Sequence, residues 1–184
     1  MTIPTLSLTE SQTLTALRTY LQGLLGTDYV VVKGQPNRVA QPAAPDHIVM
    51  TIVGRALLEV PSTEYRDGAF DDPPTPGVRM DLAPAEVRVQ LDVHGPNAAN
   101  VATIVQAKAR SSDAWAAFDA TGFDVHPLYV DDAHQLPFIN GEQQVETCWH
   151  MEFHLQCNPV ITTAQDFAAS VVVGVISVEE RFPT

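Results

Sequence analysis

Apolar residues near the start of the chain recur at intervals of three and four positions. This period predicts an amphipathic helix over residues 9–25. Thr9 and Gln12 have the spacing of a capping box, in which each side chain satisfies a backbone N–H group of the first turn. Gly26 is a suitable end for this helix. The predicted apolar stripe consists of Leu14, Leu17, Leu21, Leu24 and Leu25.

The same period predicts two more helical segments in the middle of the chain. The first follows the turn at residues 95–97, and the second, shorter segment spans Asp113 to Ala120. Both have an apolar face that we expect to pack against the core. The predicted inward side chains are Ala98, Val101, Ile104 and Val105 in the first segment, and Trp115 and Phe118 in the second.

Alternation of apolar and polar residues predicts two long strands, Glu86–His94 and Val145–Gln156. We expect one face of each strand to be buried and the other to be polar and solvated. In the second strand the polar face would carry Cys148, His150, Glu152, His154 and Gln156. Further strands are predicted at residues 28–33, 46–60 with a bulge at Gly54, 125–130 and 171–178.

Residues 61–84 interrupt this pattern with five prolines, two glycines and several acidic residues. Such a long segment without regular structure is uncommon inside a compact domain. We therefore interpret residues 61–84, called the arm below, as a long loop or extended hairpin that projects from the domain.

The order of these elements favours an α+β fold, because helices do not alternate regularly with strands. We predict a mixed, mainly antiparallel sheet packed by an N-terminal and a central helix. Residues 1–184 are predicted to form a single domain that carries the arm.

Composition adds an acidic character to this picture. The chain has 22 acidic and 10 basic residues and a formal charge of −12. A surface of this charge is unsuited to general binding of phosphate, which depends on lysine and arginine. The two cysteines lie nine positions apart on one predicted strand, too far for a disulfide, so we expect free thiols in a reducing cytoplasm.

Candidate chemistry is limited to the polar face of the last long strand. His150, Glu152 and His154 have side chains about 7 Å apart from one to the next, so an ion can bridge two of them. Asp92 or His94 on the neighbouring alternating strand is a candidate to complete such a site. However, histidine and glutamate are ordinary on a solvated strand face, and Cys148 beside His150 lacks an oxyanion hole. We therefore assign no catalytic residue, no metal ligand and no cofactor.

Several stretches in combination resemble a family of tail-terminator-like proteins from the neck of tailed phages. The longest runs from His126 to Asn158 and contains PFINGEQQ, and upstream stretches include VVKGQPNRVAQP, VMTIVGRALLE and QLDVHGP. This resemblance implies a tail-terminator-like α+β fold and a structural role without catalysis. It also implies a homomeric ring, a hexamer, in the virion neck between the head connector and the tail tube.

The predicted partners are thus a second copy of the chain, a head-connector or adaptor protein, and the tail tube protein, with a sheath protein as a further candidate. We expect assembly in the host cytoplasm, no membrane contact, and DNA that only passes through the ring lumen. Interface residues are predicted in the arm and in the turn segment at residues 131–144. They are Glu64, Tyr65, Arg66, Asp71, Asp72, Arg79, Asp131, Asp132, Phe138 and Asn140.

A second set of residues is predicted to line the lumen or a polar sheet face, namely Arg88, Asp92, His150, Glu152 and His154. An acidic lumen would let DNA pass without binding it. Two alternatives stay open: another head-tail adaptor or tail-completion protein, and a metal-dependent enzyme that uses His150, Glu152 and His154.

Overall fold

The computed structural model describes residues 3–27, 29–34, 42, 44–68, 77–139 and 145–165. These residues form three helices and ten strands, mostly antiparallel, which confirms the predicted α+β class. In chain order the elements are β1 (Thr5–Leu6), α1 (Glu10–Leu25), β2 (Val30–Lys33), β3 (His47–Leu57), β4 (Ser62–Arg66), β5 (Gly77–Leu82), β6 (Ala85–His94), α2 (Ala98–Lys108), α3 (Ser112–Asp119), β7 (Val125–Val130), β8 (His134–Ile139), β9 (Val145–Cys157) and β10 (Val160–Gln165).

The larger of two sheets has the order β2-β3-β6-β9-β7, and β8 pairs with another part of β9. Only β2 and β3 run parallel among its described pairs. The register between β3 and β6 shifts between Ile52 and Gly54, which confirms the predicted irregularity at Gly54. At its centre, β6 buries every second residue as predicted.

The core lies between this sheet and the helices. Leu17 and Leu21 of α1 are fully buried, together with Val89 of β6 and Phe153 of β9. The capping box of α1 is complete: Thr9 Oγ1 accepts a hydrogen bond from the Gln12 backbone N–H, and Gln12 Oε1 accepts one from the Thr9 N–H. This local geometry confirms the predicted start of the helix.

Two inward-facing predictions are wrong. Ile104 of α2 is 42% exposed and Trp115 of α3 is 51% exposed, whereas Phe118 is fully buried as predicted. Trp115 instead stacks on the edge-strand residue His126, with ring centroids 4.7 Å apart. Helical periodicity fixes the direction of a stripe, but the width that becomes buried depends on how closely the neighbouring elements approach.

The smaller sheet has the order β1-β10-β5-β4 and uses most of the described part of the arm. β4 pairs with β5 in antiparallel register, and β5 lies between β4 and β10. Residues 69–76 of the arm and the predicted strand at 171–178 lie outside the described residues. The predicted turn segment at 131–144 contains a strand, β8, because it pairs with β9 along His134–Ile139.

Candidate functional site

The face of the larger sheet opposite the helices is lined by charged and polar side chains of β6 and β9. Alternation places Glu86, Arg88, Gln90 and Asp92 on this side of β6. Register then sets Arg88 opposite His154, Gln90 opposite Glu152, and Asp92 opposite His150. The five residues predicted to line a lumen or polar sheet face thus lie side by side, and we call this surface the polar face.

His154 is the most enclosed residue of the polar face, with 5% of its surface exposed. Its Nδ1 atom lies 2.8 Å from Glu86 Oε1, and its Nε2 atom lies 3.1 Å from Asp131 Oδ2. The imidazole ring stacks on the Tyr129 ring, with centroids 4.0 Å apart. The guanidinium carbon of Arg110 also lies over the Tyr129 ring, 5.4 Å from its centroid. The expected solvated strand face is therefore wrong at His154, because side chains from β6 and β7 cover it.

An ion pair and a histidine–carboxylate contact organise the rest of the polar face. Arg88 Nη1 lies 3.3 Å from Glu152 Oε2, and His150 Nδ1 lies 2.5 Å from Asp92 Oδ1. The Arg88 guanidinium also lies over the backbone of Gly54, where an added Cβ would come within 2.6 Å of Nη2. The bulge at Gly54 thereby makes room for the arginine that pairs with Glu152.

The sequence-predicted metal set is only partly brought together. The ligand atoms of Glu152 and His154 lie within 4.8 Å of each other and of Asp131, a residue from the connection between β7 and β8. His150 is not part of this group and instead pairs with Asp92. The sequence predicts Asp131 in an interface and not beside His154, because the two residues are 23 positions apart in the chain.

An open cleft of about 340 Å³ borders this group. Asp132, His134 and Leu136 line one side of the cleft, and Gln90, His150 and Glu152 line the other. The connection between β7 and β8, which borders the cleft, is held to α2 by two hydrogen bonds. Gln106 Nε2 donates them to the Asp131 carbonyl oxygen and to Asp132 Oδ1, at 3.2 and 3.3 Å. Together with the residues that border the cleft, the polar face carries more acidic than basic side chains. The acidic ones are Glu86, Asp92, Asp131, Asp132 and Glu152, and the arginines are Arg88 and Arg110.

A buried histidine pair lies at the far end of β6 and was missed by the sequence analysis. His47 and His94 stack with ring centroids 4.6 Å apart, and Cys148 Sγ lies 3.7 Å from His94 Nε2. Cys148 is thus beside His94 and fully buried, so the predicted solvated strand face is wrong at this position as well. The other thiol, Cys157, packs in the core, where burial raises its pKa and makes it a poor nucleophile. Both cysteines are thiols outside any disulfide.

The predicted interface residues of the arm are exposed where they are described. Glu64 and Arg66 form an ion pair on β4, with Oε1 and Nε 3.0 Å apart, and Tyr65 is 55% exposed between them. Arg79 of β5 pairs with Asp81, whose pKa is lowered by hydrogen bonds from Thr63 and from Arg79. Asp71, Asp72 and Asn140 lie outside the described residues, and the Phe138 backbone pairs with Glu146 in the β8–β9 ladder.

Exposed apolar side chains lie at both edges of the smaller sheet and at the end of β3. Of the ten large ones among the described residues, six lie on or beside β1, β4 and the end of β3. They are Ile3, Leu6, Leu57, Leu58, Val60 and Tyr65. Single exposed apolar residues are normal, but such a concentration is typical of an interaction surface. None of the described helices combines the length and apolar character required to cross a membrane.

A family model described as phage neck terminator protein matches residues 11–180, which is nearly the whole chain. A search of curated proteins finds no match.

Proposed function

The chain belongs to the phage neck terminator protein family, a family of structural virion proteins, and we propose that its copies close into a ring at the end of the tail tube. The ring, a hexamer, would stop tube polymerisation and join the tail to the head connector. Its mechanism would be binding alone, through heterologous contacts in which one side of each subunit meets the opposite side of the next. Head-connector and tail tube proteins would be the partners of the two ring faces.

The observation that carries this proposal is the group of exposed apolar side chains at the end of β3 and in its connection to β4. Val60 is 87% exposed and Leu57 is 61% exposed, so the described part of the chain leaves both side chains in contact with water. Covering a Val or Leu side chain completely contributes roughly 1.5–3 kcal/mol. β4 is also an edge strand, whose outer backbone groups are suited to pairing with a neighbouring chain.

The polar face supports a lumen position. Its five carboxylates outnumber its two arginines. Both arginines already contact protein groups, since Arg88 pairs with Glu152 and Arg110 lies over the Tyr129 ring. A negative lining repels the DNA backbone at short range, since no stripe of free lysine or arginine is present among its described residues to hold phosphate. DNA would then move through the ring without adhering to it.

Native mass spectrometry of the purified chain, alone and with tail tube protein, tests the ring. A chain of 20.0 kDa is expected to give a closed assembly of about 120 kDa in one of these samples. The double variant Leu57→Glu with Val60→Glu should remain monomeric, because it introduces charge where a neighbour would dock. The matched control Ile104→Glu changes an exposed apolar residue on α2 and should assemble normally.

A monomer in both samples, or equal assembly of the double variant and the wild type, would contradict the proposal for this surface. Circular dichroism of each variant establishes that the fold is retained, as expected for substitutions at exposed positions.

A further inference from the structure

We propose that Asp131, Glu152 and His154 form a binding site for one divalent metal ion of the Zn²⁺ or Mn²⁺ class. The site is independent of ring formation, because its residues come from a single chain. One ligand atom from each residue lies within 4.8 Å of the other two. In a tetrahedral zinc site the ligand atoms lie about 2.0–2.2 Å from the metal, so two of them are about 3.3–3.6 Å apart. His154 Nε2 and Asp131 Oδ2 are already close to this spacing at 3.1 Å, and the Glu152 carboxylate has to move closer by at most about 1.5 Å.

The surroundings of His154 also fit a bound ion. Both ring nitrogens face carboxylate oxygens, Nδ1 towards Glu86 and Nε2 towards Asp131. A neutral imidazole has only one N–H donor, so one nitrogen would present its lone pair to an oxygen lone pair. Either a second proton or a metal ion at Nε2 removes this conflict. A metal at Nε2 leaves the Nδ1–H group to donate to Glu86.

The arrangement of Glu86, His154 and a metal is a common one in proteins. A ligating histidine usually donates its other N–H group to a carboxylate, which fixes the tautomer and the ring orientation. Here Tyr129 also stacks on the ring, and side-chain exposure of His154 is only 6%, so the ligand is held rigidly. Glu86 is thus a positioning residue, while Asp131, Glu152 and His154 would be the ligands.

Charge and access also favour a cation. Glu86, Asp131 and Glu152 surround the imidazole, and among the described side chains Arg88 offsets this charge by pairing with Glu152. Asp131 has half of its side chain exposed, and the adjoining cleft gives an ion a path from solvent. One nitrogen and two oxygen ligands suit Zn²⁺ or Mn²⁺, whereas Mg²⁺ prefers oxygen ligands and water. A bound ion would fasten the β7–β8 connection to β9.

Isothermal titration calorimetry on the chelator-treated full chain tests this site with ZnCl₂, MnCl₂ and MgCl₂ in turn. We expect one Zn²⁺ or Mn²⁺ per chain and much weaker Mg²⁺ binding. Asp131→Asn and Glu152→Gln should each weaken binding at least tenfold, and Glu86→Gln should weaken it by about 10–100-fold through the histidine. Asp92→Asn is the matched control, since Asp92 lies on the same face but pairs with His150.

Thermal unfolding with and without the same metal provides a second readout. At a free metal concentration 100 times the wild-type dissociation constant, the bound state gains about 2.7 kcal/mol, which should raise the unfolding temperature of the wild type more than that of Asp131→Asn. Absence of saturable Zn²⁺ or Mn²⁺ binding would overturn the proposal. Binding that survives both Asp131→Asn and Glu152→Gln would overturn it as well, by locating the ion elsewhere.

Discussion

Replacing Gly95 by alanine should destabilise the fold more than the same change at Gly23 or Gly122. An added Cβ has open space at those two glycines but not at Gly95. Gly95 follows β6 in the QLDVHGP stretch and has a φ angle of +107°. An added Cβ would overlap the Pro45 carbonyl oxygen and Asp46 Oδ1 and lie 2.9 Å from Asp46 Cα. Two of these three atoms belong to backbone, so a side-chain rotation cannot relieve the overlap.

The close approach at Gly95 also positions the start of α2. Asp46 accepts hydrogen bonds from the backbone N–H and the Nδ2 atom of Asn97, at 3.1 and 3.0 Å. Asn97 makes no side-chain capping bond of its own, so the Asp46 carboxylate serves the first turn of the helix instead. Pushing residues 45–46 away from Gly95 would weaken these bonds.

The expected loss can be assembled from three contributions. A non-glycine residue at positive φ costs about 1–2 kcal/mol, and overpacking against fixed neighbours costs about 1–3 kcal/mol. The reduced entropy of the unfolded chain returns about 0.4–1 kcal/mol. The free energy of unfolding should therefore fall by about 1–5 kcal/mol, with a central value of about 3 kcal/mol.

Urea denaturation followed by circular dichroism measures this loss, with two glycines as controls. Gly122 has a φ of +70° but no atom near an added Cβ, so Gly122→Ala should cost only about 1 kcal/mol. Gly23 lies within α1 with the same open space, and Gly23→Ala should stabilise by up to about 1 kcal/mol. If Gly95→Ala lost no more stability than Gly122→Ala, the clash with residues 45–46 would be refuted.

Three further predictions concern stability. Thr9→Ala removes the capping box and should lower the free energy of unfolding by about 1 kcal/mol in urea denaturation, whereas Thr15→Ala within the helix should not; equal effects would contradict the capping role. Phe153→Ala leaves a cavity beside two aromatic rings and should cost about 3–5 kcal/mol in the same assay, so a loss under 1 kcal/mol would contradict tight packing there. Burial, and to a smaller extent the charge of Asp113, raises the pKa of Tyr20 from 10.0 to about 12 in the folded state. The free energy of unfolding should therefore fall as the pH rises from 10 to 12, and Tyr20→Phe should reduce this fall when urea midpoints are measured across that range. An unchanged fall in the variant would show that other groups cause it.

The elements that the sequence predicted well are those with a local cause. The capping box at Thr9 and Gln12 needs only residues three positions apart, and the alternation in β6 needs only neighbours in one strand. The bulge at Gly54 was likewise predictable from one residue type within an apolar run.

The site was predictable only in part. Alternation along β6 and β9 correctly grouped Arg88, Asp92, His150, Glu152 and His154 on one side of the sheet. It predicted a solvated surface, however, because a strand taken alone does not show what its neighbours place above it. Tyr129 and Asp131 come from β7 and the connection after it, and they enclose His154. The stacked pair of His47 and His94 arises in the same way, from the register of β3 against β6.

The sequence by itself determined the three helices, the strands β2, β3, β6, β7 and β9, the main apolar side of each, and the acidic character of the whole. These properties follow from periodicity and composition, which are local or additive. Only the tertiary structure decided that the strands divide into two sheets, that β2 runs parallel to β3, and that Asp131 meets His154. Contacts of this kind join residues far apart in the chain, and they depend on how all elements pack together to bury one shared core.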